Sequence, residues 1–137
     1  MNFQRASVAL ARTPRSDARP AEAPRILLVE DDERQRLLLR HLLEDRGYGV
    51  EAVGSAAAAI GAMAGWFDLL VTDVDIGSRL TGLDIARLVR AVRPRLPVII
   101  LSARAPAADA GEGIVHLRKP CTSAAVLTAV QGFAPLG

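Results

Sequence analysis

Polar side chains that could bind a metal ion and a phosphoryl group follow four short apolar segments of this chain. In chain order these side chains are Glu30, Asp31, Asp73, Asp75, Ser102 and Lys119. Carboxylates a few ångströms apart repel one another and have raised pKa values. A hard divalent cation relieves that repulsion, and Mg²⁺ prefers a few oxygen ligands together with water and phosphate oxygens. The residue types therefore indicate a magnesium site beside which a hydroxyl and an ammonium group bind phosphoryl oxygens.

Only one of the 17 basic residues is a lysine, and that residue is Lys119. Most lysines are solvated surface charges. A compact ammonium on a flexible stem nevertheless differs chemically from the planar guanidinium that the chain uses at every other basic position. The composition supports a functional role for Lys119 in an acidic pocket but does not establish one.

Short apolar runs alternate with helical patterns from residue 25 onward, and these elements must position the polar side chains. The predicted strands are 26–29, 49–53, 69–72, 98–101 and a weaker one at 114–117. The predicted helices are 33–45 after an Asp32 cap, a helix from the Ser55 cap to about 65, one around 85–92, and 123–133. This alternation predicts an α/β fold with a doubly wound, five-stranded parallel sheet. Because ligands of such sheets bind at the carboxyl ends of the strands, we expect the polar side chains to meet there.

Composition and charge restrict the possible partners and compartments. Residues 1–24 are basic and rich in Ala, Arg and Pro, so we expect a disordered tail, followed by one domain at 25–133 and a C-terminal tail at 134–137. Acidic and basic side chains balance beyond residue 24, which argues against direct nucleic-acid binding. No window holds the ~20 apolar residues of a membrane span, and residues 1–24 lack a secretory apolar region. A single cysteine, Cys121, excludes an internal disulfide, so we expect a reducing, cytoplasmic location.

Four motifs, in order and each at the end of a predicted strand, resemble those of the response-regulator receiver domains of two-component signalling. They are ILLVEDDE, LLVTDVDI, PVIILSA and LRKP, and the resemblance extends from Arg25 to about Phe133. It implies a flavodoxin-like strand order 2-1-3-4-5. It also implies that Asp73 is the phosphoacceptor and that Ser102 and Lys119 bind the phosphoryl oxygens. The Mg²⁺ ligands that it implies are Glu30, Asp31, Asp73 and the backbone carbonyl of Asp75. A cis peptide bond before Pro120 is a further implication.

Several features depart from the receiver pattern. Asp75 and Arg104 occupy positions that flank the path of the attacking water in receivers. We predict an ion pair between them that slows hydrolysis of the phosphorylated form, with two solvated side chains as the alternative. His116 replaces the usual Tyr or Phe, and both a packing role and a pH-dependent inward swing are open. Cys121 stands where an aromatic is common and is assigned a packing role. The segment 104–113 is short, so the fourth helix is expected to be short or absent.

The resemblance implies a stand-alone receiver that accepts a phosphoryl group on Asp73 from a histidine kinase or a histidine phosphotransfer protein. It would signal to an unknown output protein by contact. It would catalyse only its own phosphorylation and dephosphorylation, and would not be an enzyme acting on other substrates. One alternative is a degenerate receiver that acts as a phosphorylation-independent binding module. Another is a phosphatase of the haloacid-dehalogenase type, although its nucleophilic aspartate follows the first strand, whereas Asp73 follows the third predicted one.

Overall fold

The computed structural model describes residues 23–104 and 112–136, in which strands and helices alternate. The strands are β1 (Arg25–Val29), β2 (Gly49–Val53), β3 (Leu69–Asp73), β4 (Val98–Ser102) and β5 (Ile114–Arg118). The helices are α1 (Glu33–Asp45), α2 (Ala56–Ala62), α3 (Gly82–Val92) and α4 (Ser123–Phe133). Every predicted strand and helix is present. Helix α2 is shorter than predicted because the chain turns after Ala62, whose carbonyl accepts a hydrogen bond from the Gly65 amide at 3.0 Å.

All five strands are parallel and form one sheet in the order β2-β1-β3-β4-β5, which confirms the predicted flavodoxin-like order. Opposed residues form rows across the sheet: Leu27 pairs with Leu70, and Leu70 pairs with Val98. Every residue of β3 and β4 is buried, as expected for central strands of a parallel sheet covered by helices on both faces. The carboxyl ends of β1, β3 and β4 consequently lie side by side at one edge.

Alternate side chains along each strand enter two hydrophobic cores, one on each face of the sheet. This alternation follows from the pleat of a strand, in which successive side chains point to opposite faces. Leu28 of β1 belongs to the core that includes residues of α1 and α4. Its neighbour Leu27 belongs to the core that includes residues of α2 and α3. The site residues that follow β1 and β3 are therefore anchored by strands that are packed from both sides.

Helix α3 buries a narrower face than its apolar spacing predicts. Ile85, Ala86 and Val89 are buried, whereas Leu88 is 45% exposed and Val92 is 79% exposed. The helix therefore turns its i, i+1 and i+4 positions to the sheet. Leu88 and Val92 share the apolar spacing but lie on the flank of that face.

Each helix begins after a polar residue whose side chain accepts a hydrogen bond from a backbone amide of the first turn. These N-caps are Asp32, Ser55, Thr81 and Thr122. The first two confirm the caps predicted from the sequence, and such a cap contributes about 1 kcal/mol to helix stability. Thr81 and Asp84 cap each other reciprocally at the start of α3. The caps fix where each helix leaves the strand end that precedes it.

Two predicted features lie wholly or largely outside the described residues. Of the expected tail at 1–24, only the last two residues are described. Residues 105–111 belong to the segment expected to hold a short or absent fourth helix; the residues described on either side of them form bends and a turn.

At the C-terminal end, Ala134 is buried, and its carbonyl accepts a hydrogen bond from the Tyr48 hydroxyl at 2.6 Å. No helix within the described ranges is long and apolar enough to cross a membrane.

Candidate functional site

Three carboxylates meet where the neighbouring strands β1 and β3 end. One oxygen each from Glu30, Asp31 and Asp73 lie within 4.8 Å of one another. Val29 pairs with Thr72 in the sheet, so the residues that follow and end the two strands stand beside each other. Glu30 and Asp73 are buried, and Asp31 is exposed. Three carboxylate oxygens, of which that of Asp31 is open to solvent, suit a hard divalent cation as ligands. Such a cation keeps water in its remaining coordination positions.

The lysine ammonium lies in the same cluster. Lys119 Nζ is 2.6 Å from Asp73 Oδ2 and 3.9 Å from Glu30 Oε1. The Lys119 amide also donates a hydrogen bond to the Ser102 carbonyl at 2.7 Å, which ties the segment after β5 to the end of β4. The peptide bond between Lys119 and Pro120 is cis, as the resemblance implies. Burial alone would lower the pKa of Lys119, but the hydrogen bond and charge of Asp73, together with Glu30, raise it above its usual value.

Ser102 ends β4 beside the acidic cluster. Its neighbour Leu101 pairs with Asp73 in the sheet, and the Ser102 side chain is buried. Its Oγ accepts a hydrogen bond from the Arg104 amide at 3.0 Å. A hydroxyl that accepts one bond keeps its own proton for donation. Ser102 is thus held by its own loop, and its predicted role toward the phosphoryl oxygens stays a prediction.

The loop after β3 passes close to Asp31. Gly77 has φ +69°, and a Cβ on this residue would lie 3.2 Å from Asp31 Oδ2. Asp75 in the same loop is exposed. The predicted role of its backbone carbonyl as a Mg²⁺ ligand stays a prediction.

The predicted ion pair between Asp75 and Arg104 is not formed in this structure, and its effect on hydrolysis of the phosphorylated form stays a prediction. Both residues lie in the described part of the chain and both are exposed, but they are not among its ion pairs within 4.0 Å. An exposed ion pair contributes only about 0–1 kcal/mol to the free energy of folding, so hydration of the two separate side chains competes with it. Among the described residues, Arg104 is connected to the site by the hydrogen bond that its amide donates to Ser102.

His116 and Cys121 are not members of the carboxylate cluster. His116 is half-buried in β5, next to Ile100 of β4, and neither ring nitrogen has a hydrogen-bond partner among the described residues. Residues 105–111, which connect β4 to β5, lie outside the described part of the chain. The inward swing of His116 therefore stays a prediction. Cys121 is half-buried against the core that includes residues of α1 and α4, in agreement with its predicted packing role.

Gly82, the first residue of α3, lies against the site but is not among the residues predicted from the sequence. A Cβ at this position would lie 1.9 Å from the Asp73 carbonyl oxygen and 2.7 Å from Thr72 Oγ1. Gly82 therefore lets α3 start directly against the backbone of the candidate acceptor. A glycine at a helical position after a good N-cap is a usable signal, because glycine disfavours helix and needs another reason to be there.

A comparison with known families decides what kind of domain holds this cluster. The sequence profile of the response regulator receiver domain matches residues 26–131. The chain belongs to this family.

Individual relatives of this receiver agree in family and fold. The transcriptional regulatory protein RprY of Bacteroides fragilis (strain YCH46) is 38% identical over 93 residues, which is 67% of this chain and 39% of RprY. The response regulator MprA of Mycobacterium avium (strain 104) is 40% identical over 81 residues, which is 58% of this chain and 35% of MprA. A receiver protein from Sinorhizobium medicae WSM419 superposes with a TM-score of 0.75 at 33% identity, covering 82% of this chain and 94% of that one. This chain spans well under half the length of the two regulators.

The electrostatics of the receiver site centre on Glu30. Burial, and to a smaller extent the charges of Asp73 and Asp31, raise the pKa of Glu30 to about 7. The backbone amide of Asp32, which donates to Glu30 Oε2 at 3.1 Å, and the charge of Lys119 oppose this rise. In the metal-free receiver, Glu30 is thus a buried carboxyl group that loses its proton only near neutral pH.

We therefore expect the metal-free receiver to lose stability as the pH rises from about 5 to 8. A folded-state pKa above the unfolded value of 4.5 means that the folded state binds the proton more tightly. The free energy of unfolding then falls as the pH passes from the unfolded to the folded pKa, by at most about 3 kcal/mol. Urea unfolding in EDTA at pH 5, 6, 7 and 8 measures this fall. The Glu30→Gln variant cannot titrate and should show a flatter profile; parallel profiles would contradict the assignment.

Proposed function

We propose that this receiver accepts a phosphoryl group on Asp73 from the phosphohistidine of a histidine kinase or a histidine phosphotransfer protein. The observation that carries the proposal is the position of the buried Asp73 carboxylate. It lies 2.6 Å from the Lys119 ammonium and within 4.8 Å of the carboxylates of Glu30 and Asp31. Asp73 therefore has one cation and two other carboxyl groups as close neighbours. That arrangement suits a group whose charge changes.

The chemistry is transfer of a phosphoryl group to a carboxylate oxygen. An Asp73 oxygen forms the new bond to phosphorus, the bond from phosphorus to the donor imidazole nitrogen breaks, and its electron pair stays on that nitrogen. Catalysis of such a transfer is mostly positioning and charge stabilisation. In this proposal Lys119 donates to one phosphoryl oxygen and Ser102 donates to another. A Mg²⁺ ion held by Glu30, Asp31, Asp73 and the Asp75 carbonyl would neutralise further negative charge.

The receiver would catalyse only its own phosphorylation and the hydrolysis that ends the signal. A phosphatase of the haloacid-dehalogenase type is the rival reading, but its nucleophile follows the first strand, whereas Asp73 ends the third strand along the chain, β3. Incubation with p-nitrophenyl phosphate separates the two readings. We expect no release of nitrophenol above background, and sustained turnover would favour the phosphatase.

The test of the proposal is the intact mass of the protein after incubation with phosphoramidate or acetyl phosphate. We expect a gain of about 80 Da with Mg²⁺ and none with EDTA. The reason is that the metal ion offsets the negative charges of the carboxylates and of the incoming phosphoryl group. A Mg²⁺-dependent complex with beryllofluoride should form under the same conditions. Absence of both the mass gain and the beryllofluoride complex would overturn the proposal in favour of a phosphorylation-independent binding module.

We also propose that the receiver acts in the cytoplasm and signals by protein contact. Acidic and basic side chains balance in this chain beyond residue 24, so the net charge of the domain gives no support for DNA binding by the receiver itself. Fractionation of the cells that produce the protein tests its location. Recovery of the receiver in a fraction other than the cytoplasm would contradict the proposal.

A further inference from the structure

One arginine of α1 holds the backbone of the two acidic residues that follow β1. Arg36 Nη1 donates a hydrogen bond to the Glu30 carbonyl at 2.9 Å and makes a longer contact with the Asp31 carbonyl at 3.5 Å. Arg36 is half-buried, whereas its neighbours Arg34 and Leu37 are exposed. The Arg36 guanidinium thus folds back from the helix onto the loop that carries the carboxylates.

The same guanidinium lies against Gly54, the residue after β2. A Cβ on Gly54 would lie 2.6 Å from Arg36 Nη1 and 3.2 Å from its Cζ. A side chain at residue 54 would therefore displace the guanidinium from this position. β2 also binds the same loop directly, since the Glu30 amide donates to the Val53 carbonyl at 3.0 Å. Both backbone hydrogen-bonding groups of Glu30 are consequently paired.

We propose that Arg36, seated on Gly54, is a positioning residue for the metal site. By holding the carbonyls of Glu30 and Asp31, it sets where their side chains stand relative to Asp73. This inference rests on the proposed function, because it concerns the same Mg²⁺ ligands. Arg36 binds backbone carbonyls and does not itself contact the reacting atoms.

A purely electrostatic role for Arg36 predicts the opposite result. A positive charge near an acidic pocket repels an incoming cation, so its removal would tighten Mg²⁺ binding. Loss of positioning would weaken Mg²⁺ binding, because the two carboxylates would no longer be held in place. The sign of the change in Mg²⁺ affinity therefore separates the two roles.

The experiment is a Mg²⁺ titration of the full chain, followed by NMR through the backbone amide of Gly77, which lies beside Asp31. We expect Arg36→Met to weaken Mg²⁺ binding about five- to tenfold, and Gly54→Ala to do the same by displacing the guanidinium. Since both changes remove one interaction, the double variant should be no more than about twofold weaker than either single variant. Arg36→Lys keeps a donor and should recover most of the affinity.

Arg34→Met is the matched control, because it removes the same charge from the same helix at an exposed position. It should leave the affinity unchanged or slightly tighter. A parent that binds no Mg²⁺ would overturn both the proposed function and this inference. A parent that binds Mg²⁺, with Arg36→Met or Gly54→Ala equal to it or tighter, would overturn only the inference. If Arg36→Met fails to fold, Gly54→Ala and Arg36→Lys still decide the outcome.

Discussion

Replacing Asp73 with asparagine is expected to abolish the Mg²⁺-dependent mass gain of about 80 Da. The carboxamide has nearly the shape of the carboxylate, but its oxygen is a poor nucleophile and it offers no charge to the metal ion. The Lys119 ammonium, 2.6 Å from Asp73 Oδ2, would also lose the nearer of its two carboxylate partners. Intact mass after incubation with phosphoramidate and Mg²⁺ measures the effect, with the parent protein alongside.

Asp75→Asn is the matched control for this variant. Asp75 lies two residues further on, is exposed, and would contribute its backbone carbonyl, which the change leaves in place. We expect this control to keep the full mass gain, while Asp73→Asn shows none. A gain of equal size in Asp73→Asn would move the acceptor to another residue, and a loss in both variants would point to net charge as the cause. Unfolding curves of the two variants check that each is folded.

Replacing Gly82 with alanine is expected to destabilise the fold by at least about 2 kcal/mol, as over-packing in a rigid interior does. The added methyl would lie 1.9 Å from the Asp73 carbonyl oxygen and 2.7 Å from Thr72 Oγ1. β3 is buried at every residue and cannot move away. The Gly82 amide is also bound to the Val74 carbonyl at 2.8 Å, so α3 cannot retreat without breaking that bond. Urea unfolding of the variant in EDTA gives the change in free energy.

Gly61→Ala is the control for helix propensity. Gly61 lies in α2, and a Cβ there would meet nothing within 4 Å. Alanine favours helix over glycine by up to about 1 kcal/mol, so this change should be neutral or stabilising. If Gly82→Ala lowers the free energy of unfolding and Gly61→Ala does not, the loss of stability comes from the contact with Asp73 and not from helix propensity. A Gly82→Ala variant as stable as the parent would show that α3 starts further from β3 than in this structure.

The elements and the cluster at the strand ends follow from patterns that are local in the sequence. Apolar runs such as 26–29 and 98–101 predict strands buried on both faces, and their alternation with helical spacing predicts the parallel sheet. Because parallel strands end at one edge, the sequence also predicts that Glu30, Asp73 and Lys119 meet there. The structure places one oxygen each of Glu30 and Asp73 within 4.8 Å, and the lysine ammonium 2.6 Å from Asp73.

Contacts between segments that are distant in the chain could not be predicted in this way. The ion pair between Asp75 and Arg104 is absent, because two exposed side chains are held by solvent as readily as by each other. α3 exposes Val92 despite its apolar spacing, since the rotation of a helix against a sheet depends on which side chains fit beneath it.

By itself, then, the sequence determined the order of the elements, the strand order through the family resemblance, and which polar residues end which strands. Only the tertiary structure decided that α3 starts against the Asp73 carbonyl at Gly82, and that Arg36 reaches the loop after β1 across Gly54. The physical reason is range. Periodicity and capping act within one or two turns of chain. The fit of a helix start or a guanidinium against another strand end is set by close packing among elements that the sequence pattern treats as independent.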